Sequence, residues 1–175
     1  ITVDGIASAE ISSYKAGTYV VTATVNGKAT QQNTTFVADG TTAEITDANL
    51  VIDPDYSPAN GTAKNGVTAT VTDYWGNLVP GAAVSFTVED GASITTVIGT
   101  TGADGKATAE VISTAAGTYL VTATVNGKAT SRNTTFVADG TTAEITDANL
   151  VIDPDNSPAN GTAKNGVTAI VTDAN

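Results

Sequence analysis

Apolar and hydroxyl residues alternate with a period of two along most of this chain. In Val67–Thr72 and again in Val84–Val88, an apolar residue occupies every second position and Thr or Ser occupies the positions between. This period places the apolar side chains of a strand on one face of a sheet. No window of useful length carries the 3.6-residue apolar period of an amphipathic helix, and the abundant Val and Thr disfavour helix because their branched side chains restrict χ1. The pattern predicts an all-β protein with almost no helix.

The strand patterns are short and are separated by Gly, Pro, Asn and Asp. The alternating stretch 119–125 ends at Asn126-Gly127, which favours a two-residue hairpin turn because both residues tolerate positive φ. The strands are predicted near residues 43–52, 67–72, 84–88, 93–98, 106–113, 119–125 and 128–137. About seven strands in about 100 residues predict a sandwich of two antiparallel sheets. The residues predicted to face inward are Val67, Val71, Val84, Phe86, Val88, Tyr119, Val121 and Val125.

The sequence repeats itself at an offset of 100 residues. Thr41–Asp55 recurs unchanged at Thr141–Asp155, and residues 21–73 match residues 121–173 at 49 of 53 positions. Residues 1–20 match their counterparts at only 10 of 20 positions, so the first copy has diverged near its start. Solenoid repeats are only about 20 to 50 residues long, so this period indicates a small domain duplicated in tandem.

A polar segment at residues 38–42 marks the expected boundary between repeats. It combines small residues with Gly and lies between two strand patterns. The same segment recurs at residues 138–142. We therefore expect the C-terminal part of one repeat, one complete repeat and the N-terminal part of a following repeat, at residues 1–40, 41–140 and 141–175.

The composition excludes several classes of function. Eighteen acidic residues against seven basic ones give a net charge of −11, which repels phosphates and excludes a nucleic-acid partner. The chain contains no Cys and no His, so it lacks thiolate chemistry, the commonest general base and the commonest transition-metal ligand. Without such a base, none of the many Ser and Thr hydroxyls is expected to act as a nucleophile. We predict that the protein is not an enzyme and that it has no catalytic residue and no cofactor.

The hydropathy of the chain and its first residues indicate whether it crosses a membrane and whether it belongs to a longer protein. No apolar run reaches the roughly 18 residues that span a bilayer, and the chain begins at Ile1 without a signal-peptide pattern. We expect an internal segment of a longer protein, with no direct membrane insertion.

Four linked motifs suggest a family. They are VTDYWGNLVPG at residues 71–81, GADGKAT at 102–108, AGTYLVTA at 116–123 and VNG at 125–127. In this order they closely resemble the bacterial immunoglobulin-like (Ig-like) repeats of the intimin and invasin family, and the resemblance extends to both partial repeats. It implies tandem Ig-like β-sandwich repeats in the extracellular passenger of an inverse autotransporter adhesin, anchored in the outer membrane at the bacterial cell surface.

The resemblance also implies a function. The repeats are expected to form a structural stalk or spacer that extends a binding tip from the outer membrane. The expected partners are neighbouring repeats of the same chain and, through other domains, a receptor on a host cell or a bacterial surface. Two alternatives stay open: a module that binds a ligand directly through loop aromatics, and an accessory Ig-like domain of a phage or a secreted enzyme. Near-identical repeats favour the spacer, because selection for length alone tolerates duplicates.

Three aromatic residues of the complete repeat define a candidate interaction patch. Tyr56, Tyr74 and Trp75 fall in predicted loops, whereas the following repeat has Asn156, Ala174 and Asn175 at the same positions. Tyr and Trp dominate binding hot spots, so one interpretation is a surface for a partner or for the neighbouring repeat. The other interpretation is neutral variation in a tolerant loop.

Acidic residues near the expected boundary are the second candidate site. Their side chains can supply oxygen ligands for Ca²⁺, and they are Asp39, Glu44, Asp47, Asp53 and Asp55. They lack the spacing of an EF-hand loop, and Asp53-Pro54-Asp55 is more simply a turn in which Pro restricts φ. We predict no metal site.

Overall fold

The computed structural model describes residues 5–175 and is almost entirely β-sheet. Its strands are β1 (Gly17–Val25), β2 (Lys28–Phe36), β3 (Leu50–Ile52), β4 (Ser57–Pro58), β5 (Asn65–Thr70), β6 (Ser85–Val88), β7 (Ala92–Ile98), β8 (Lys106–Ser113), β9 (Gly117–Val125), β10 (Lys128–Val137), β11 (Leu150–Ile152) and β12 (Val167–Ala169). Among these described residues the helical elements are three short 3-10 helices, at Gly40–Thr42, Asp47–Asn49 and Asp147–Asn149. The prediction of an all-β protein is confirmed. Residues 1–4, the start of the expected first partial repeat, lie outside the described residues.

The middle of the chain forms two four-stranded sheets. One sheet has the order β4-β10-β9-β6 and the other has the order β3-β5-β8-β7. All neighbours pair antiparallel except β4, which runs parallel to β10 from Ser57 opposite Phe136. The predicted sandwich is therefore confirmed, with one strand more than the pattern indicates. Two-residue β4 is too short for alternation to reveal it.

The core lies between these two sheets. Of the residues predicted to face inward, Val67, Val71, Val84, Val121 and Val125 are buried, and Phe86, Val88 and Tyr119 pack half-buried against them. The predicted register is confirmed. The largest fully buried side chain is nevertheless Phe136 in β10, which the pattern does not indicate. Strand β10 carries hydroxyl and charged residues at most positions, so its alternation is weak.

The strand predicted near residues 43–52 is interrupted. Glu44 exchanges backbone hydrogen bonds with Thr72 at 2.9 and 3.1 Å, as a strand residue would. The chain then turns through the 3-10 helix at Asp47–Asn49, closed by a bond from the Asn49 N–H to the Thr46 carbonyl at 2.9 Å, before β3 begins. Asp and Asn favour such turns because their short polar side chains compete for nearby backbone groups.

The partial repeats at the two ends each form a hairpin. Strands β1 and β2 pair along their full length, and β11 pairs with β12. The predicted turn at Asn126-Gly127 is confirmed, with φ of 50° and 73°, and the equivalent turn joins β1 to β2. The boundaries at residues 40 and 140 stay a prediction.

A buried polar network joins the two sheets of the middle repeat. Asn65 in β5 shares its two Nδ2 hydrogens among three acceptors: Asp55 Oδ1 at 2.9 Å, Thr134 Oγ1 at 2.7 Å and the Thr135 carbonyl at 2.9 Å. Its Oδ1 accepts the Ser57 N–H at 3.1 Å. Within the described part of the chain, no buried side-chain nitrogen or oxygen lacks a partner. The network therefore connects β5, β4 and β10 without the cost of an unpaired buried polar group.

Candidate functional site at the repeat junction

The middle repeat contacts the preceding partial repeat through the buried carboxylate of Asp73. Its Oδ2 accepts the backbone N–H of Asp39 at 3.0 Å and Asn77 Nδ2 at 2.8 Å. Its Oδ1 accepts the backbone N–H groups of Trp75 at 2.9 Å and Asn77 at 2.8 Å. Gly76, at φ of 81°, lets the loop 73–77 turn tightly enough to bring these donors to one carboxylate. One side chain thus shapes the loop and binds the neighbouring repeat.

Asn77 supplies a second contact across the junction. Its Nδ2 donates to the Tyr14 carbonyl at 2.9 Å and its Oδ1 accepts the Ala16 N–H at 2.8 Å. These two residues lie just before β1, whereas Asp39 lies just after β2. The loop 73–77 therefore contacts two separate segments of the preceding repeat.

The carboxylates of this junction are held in their ionised form. The hydrogen bonds from the Thr41 hydroxyl at 2.6 Å and its N–H at 3.0 Å lower the pKa of Asp39. Burial raises the pKa of Asp73, but the hydrogen bonds from Asn77, Asp39 and Trp75 outweigh burial, and the net pKa is lowered. Hydrogen bonds donated to a carboxylate stabilise its charged form.

Further contacts surround this hydrogen-bonded centre. The Asn126 side chain, in the β9–β10 turn, donates to the Gly40 carbonyl at 2.7 Å. An open groove between the repeats is lined by small and apolar residues, among them Ala16, Val37, Leu78 and Pro80. The junction thus combines partly buried and exposed polar bonds with an apolar groove.

The same arrangement recurs at the junction that follows the middle repeat. Asp173 Oδ2 accepts the Asp139 N–H at 2.8 Å, and its Oδ1 accepts the Asn175 N–H at 3.2 Å. Asp139 in turn accepts the Thr141 N–H at 3.0 Å and its hydroxyl at 2.6 Å, which lower the pKa of Asp139. The Asn60 side chain donates to Asp139 at 3.3 Å from within the middle repeat. The carboxylate contact between Asp73 and the Asp39 N–H is therefore repeated at the second junction.

Two of the three aromatic candidates lie at the first junction. The ring of Trp75 packs against Tyr14 with centroids 4.2 Å apart and the ring planes tilted by 39°, and Tyr74 meets Trp75 edge-on at 5.0 Å. Tyr56 lies at the opposite end of the middle repeat, where its N–H donates to the Thr135 carbonyl near the end of β10. Tyr74 and Trp75 are brought together and Tyr56 is not. Their role as an interaction patch stays a prediction.

Three of the five acidic residues considered as Ca²⁺ ligands, Asp39, Glu44 and Asp55, contact donors of the chain itself. Asp55 Oδ1 accepts Asn65 Nδ2 at 2.9 Å, Thr134 Oγ1 at 3.0 Å and the Thr135 N–H at 2.8 Å. Glu44 pairs with Lys128 at 3.3 Å. Within residues 5–175, no group of three or more His, Cys, Asp or Glu side chains is placed to hold a metal ion.

The alternating pattern does not reveal Asp73, Asn77 or Tyr14. Two other signals point to Asp73 and Tyr14. Asp39 and Asp73 recur unchanged 100 residues later, as Asp139 and Asp173. At the second junction, Thr114 stands at the position of Tyr14, and Ala174 and Asn175 stand at the positions of Tyr74 and Trp75. The three aromatic residues of the first junction are therefore absent together from the second.

Comparison with known proteins decides the family. The model of the bacterial Ig-like domain (group 1) family matches residues 47–137, which contain both sheets of the middle repeat. The chain belongs to this family. The Ig-like repeats are also similar to the inverse autotransporter adhesin YeeJ of Escherichia coli (strain K12), with 35% identity over 98% of this chain and 7% of that protein. The chain thus spans a small part of this relative.

Solved structures share the Ig-like fold. Invasin, described as a bacterial integrin-binding protein, superposes with a TM-score of 0.59 at 24% identity, over 91% of this chain and 32% of that one. The D00-D0 domain of intimin superposes with a TM-score of 0.50 at 25% identity, over 69% of this chain and 64% of that one. The resemblance to intimin and invasin repeats is confirmed. None of the helices in the described residues has the length and hydropathy needed to cross a membrane.

Proposed function

We propose that this chain is part of the structural stalk of a bacterial surface adhesin, in which Ig-like repeats keep one another aligned. The observation that supports this function is the Asp73 contact with the preceding repeat, which recurs at Asp173. The similarity to an adhesin many times longer than this chain is consistent with a segment between an anchor and a tip. The stalk lies outside the cell, holds no catalytic residue and presents its receptor-binding region elsewhere.

A stalk must resist bending at its junctions, and the geometry at Asp73 provides such resistance. The loop 73–77 contacts Asp39 on one segment of the preceding repeat and Tyr14–Ala16 on another. A tilt of one repeat against the other breaks at least one of these contacts. Hydrogen bonds to a buried carboxylate are costly to break, at about 1.5 to 3 kcal/mol each.

The aromatic residues of the first junction add to this resistance. Trp75 packs on Tyr14 across the junction, and aromatic pairs contribute about 0.5 to 1.5 kcal/mol beyond their buried area. The second junction has Thr114 and Asn175 at the same positions. Trp75 therefore serves the contact between repeats and does not bind an external ligand.

Distances measured across the first junction test the proposal. The chain lacks Cys, so Gln31→Cys in β2 and Thr87→Cys in β6 place two spin labels uniquely on opposite sides of the junction. We expect a single narrow distance distribution by pulsed electron paramagnetic resonance. Asp73→Asn should broaden it, because the amide nitrogen replaces one of two oxygens that each accept two hydrogen bonds, and at either position it faces two donors.

Asp90→Asn is the matched control, because it removes the same charge from an exposed position. It should leave the distribution narrow, and thermal melting should show that both variants keep the middle repeat folded. A distribution in the unsubstituted protein as broad as that of a flexible linker would reject the stalk function.

A further inference from the structure

We propose that the Asn126-Gly127 turn is a site of spontaneous deamidation, and that this reaction loosens the junction between the middle repeat and the preceding one. The reaction consumes water and requires no enzyme. The middle repeat contains three Asn-Gly pairs, at residues 60–61, 65–66 and 126–127, and the fold leaves the third free to react. The effect on the junction rests on the proposed stalk function.

The chemistry begins at the backbone nitrogen that follows an asparagine. In this turn the Gly127 nitrogen attacks Cγ of Asn126, and a new N–Cγ bond forms as the Cγ–Nδ2 bond breaks. The departing amide nitrogen takes up the proton of the Gly127 N–H and leaves as ammonia. Water then opens the five-membered imide at one of its two carbonyls, which yields aspartate or isoaspartate. Glycine favours the attack because it has no Cβ to obstruct the approach of its nitrogen.

The pair at Asn65-Gly66 is held against this reaction. Asn65 is 0% exposed, and its Nδ2 contacts three acceptors in the polar network that joins the sheets. The Gly66 N–H, whose nitrogen would attack, donates to the Pro54 carbonyl at 3.0 Å. Both reacting groups are therefore fixed, and the reaction requires local unfolding of β5.

The pair at Asn60-Gly61 is fixed by a different set of hydrogen bonds. Asn60 Oδ1 accepts the N–H groups of Thr62 at 3.1 Å and Ala63 at 2.9 Å. The Gly61 N–H donates to the Ser113 carbonyl at 2.9 Å. Attack by the Gly61 nitrogen therefore requires that this backbone bond break first.

The pair at Asn126-Gly127 lacks these restraints. Both residues are exposed, and they form the two-residue turn between β9 and β10. Within the described residues, the Gly127 N–H makes no hydrogen bond. Apart from its chain neighbours, no heavy atom lies within 4 Å of the position that a Cβ would take on Gly127. The attacking nitrogen is therefore free, and the space around it is open.

Deamidation of Asn126 removes a contact across the junction. Its Nδ2 donates to the Gly40 carbonyl at 2.7 Å, through an exposed bond that is lost when ammonia leaves. The carboxylate of the product can only accept hydrogen bonds, so it faces the Gly40 carbonyl with like partial charge. Gly40 directly follows Asp39, whose N–H donates to Asp73. The reaction therefore acts on the segment that joins the two repeats.

Isoaspartate changes the turn further. It routes the backbone through the side-chain carbonyl and so adds one methylene to the main chain. A two-residue turn fits its flanking strands only with a particular backbone twist. The added methylene should therefore disturb the pairing of Val125 with Lys128, the first pair beyond the turn.

The same turn occurs in the preceding repeat. Asn26 and Gly27 have φ of 48° and 75°, close to the 50° and 73° of Asn126 and Gly127. The Gly27 N–H is likewise without a hydrogen bond in the described part of the chain. We therefore expect the β-hairpin turn of each repeat to react, and its other Asn-Gly pairs to persist.

Peptide mapping of the aged 175-residue chain tests the reaction site. After incubation in a mildly alkaline buffer, mass spectrometry measures amide loss and isoaspartate at each Asn-Gly pair. We expect Asn126 to convert at least about tenfold faster than Asn60 or Asn65, because those two require local opening of the fold.

The same chain unfolded in urea is the control for this measurement. There the three pairs should convert at similar rates, because the fold no longer distinguishes them. Conversion of Asn60 or Asn65 in the folded chain as fast as that of Asn126 overturns the proposal. An Asn126 that stays intact while the unfolded chain converts also overturns it.

The product variant Asn126→Asp tests the effect on the junction. Aspartate tolerates the left-handed φ of this turn as asparagine does, so the middle repeat should keep its melting transition. With spin labels at Gln31→Cys and Thr87→Cys, Asn126→Asp should broaden the distance distribution across the junction. Asn133→Asp is the matched control, because it adds the same charge at an exposed position in the middle of β10.

The widths of these distributions separate the two proposals. Asn133→Asp should leave the distribution as narrow as in the unsubstituted protein. Equal widths for Asn126→Asp and Asn133→Asp overturn the effect of deamidation on the junction. A distribution that is already broad in the unsubstituted protein rejects the stalk function and this effect with it, whereas the peptide map decides the reaction site in either case.

Discussion

Single side chains contribute unequally to the middle repeat, and two phenylalanines illustrate this. Phe136 is 1% exposed and packs edge-on against Tyr119, with centroids 6.2 Å apart. Phe86 lies in edge strand β6 and is half-buried. Alternation in β6 indicates Phe86 as an inward aromatic, but its place at the sheet edge leaves part of its ring in water.

The two phenylalanines should differ in their cost of truncation. We expect Phe136→Ala to lower the free energy of unfolding by about 4 kcal/mol, because it leaves a cavity in a closed core. Phe86→Ala should cost roughly 2 kcal/mol, since less apolar surface is lost and the site can collapse. Urea unfolding at low protein concentration measures both values. An equal or larger cost for Phe86→Ala would mean that the sheets pack in a different register.

At the scale of elements, the loop 73–77 and the segment 38–42 act as a unit. Asp73 accepts the Asp39 N–H, and Asp39 accepts two donors from Thr41, which begins the middle repeat. The unit therefore joins the end of one repeat to the start of the next through two ionised carboxylates. Its stability depends on pH for that reason.

Acid should weaken the junctions. The folded-state pKa values of Asp39, Asp73 and Asp139 lie below the ordinary value of 3.8. Folding therefore favours their charged forms, and this stabilisation is present above pH 3.8 and lost as pH falls through the lowered values. We expect melting temperature to fall over this range in scans from about pH 7 to about pH 2.

Asp73→Asn isolates the contribution of one carboxylate to this pH dependence. At neutral pH this substitution should lower the free energy of unfolding by about 2 to 3 kcal/mol, because the hydrogen bonds to a buried charge are lost. The difference from the unsubstituted protein should shrink as pH falls below the ordinary pKa of 3.8 and through the lowered folded-state pKa of Asp73, where the carboxylate loses its charge. A difference that is constant across the scan would show that the charge of Asp73 does not stabilise the fold.

At the scale of the whole molecule, the repeats are joined by hydrogen bonds within the chain. Asp39, Asp55 and Asp73 each accept at least two hydrogen bonds from donors of the chain itself. The alternative way to stiffen such a junction is a divalent cation bound by these carboxylates.

Removal of divalent ions should leave the protein unchanged. We expect the melting temperature with a chelator to agree with that in Ca²⁺ to within about 1 °C. If no ion binds the folded state, the ion concentration does not change its stability. Differential scanning calorimetry of the same sample under both conditions makes the comparison. A fall of more than about 5 °C would correspond to about 1 kcal/mol of ion linkage in a domain of this size, and would identify a junction ion.

Local patterns in the sequence are sufficient to predict the strands, the hairpin turn at Asn126-Gly127 and most of the core, because a period of two and a turn dipeptide act over a few residues. Identity at an offset of 100 residues indicates the repeats in the same direct way. The burial of Phe136 could not be predicted from a local pattern, because its strand carries polar residues on both faces. The contacts between repeats could not be predicted from local patterns either. Asp39 and Asp73 are 34 residues apart and Ala16 and Asn77 are 61 apart, so only folding of both repeats brings them together.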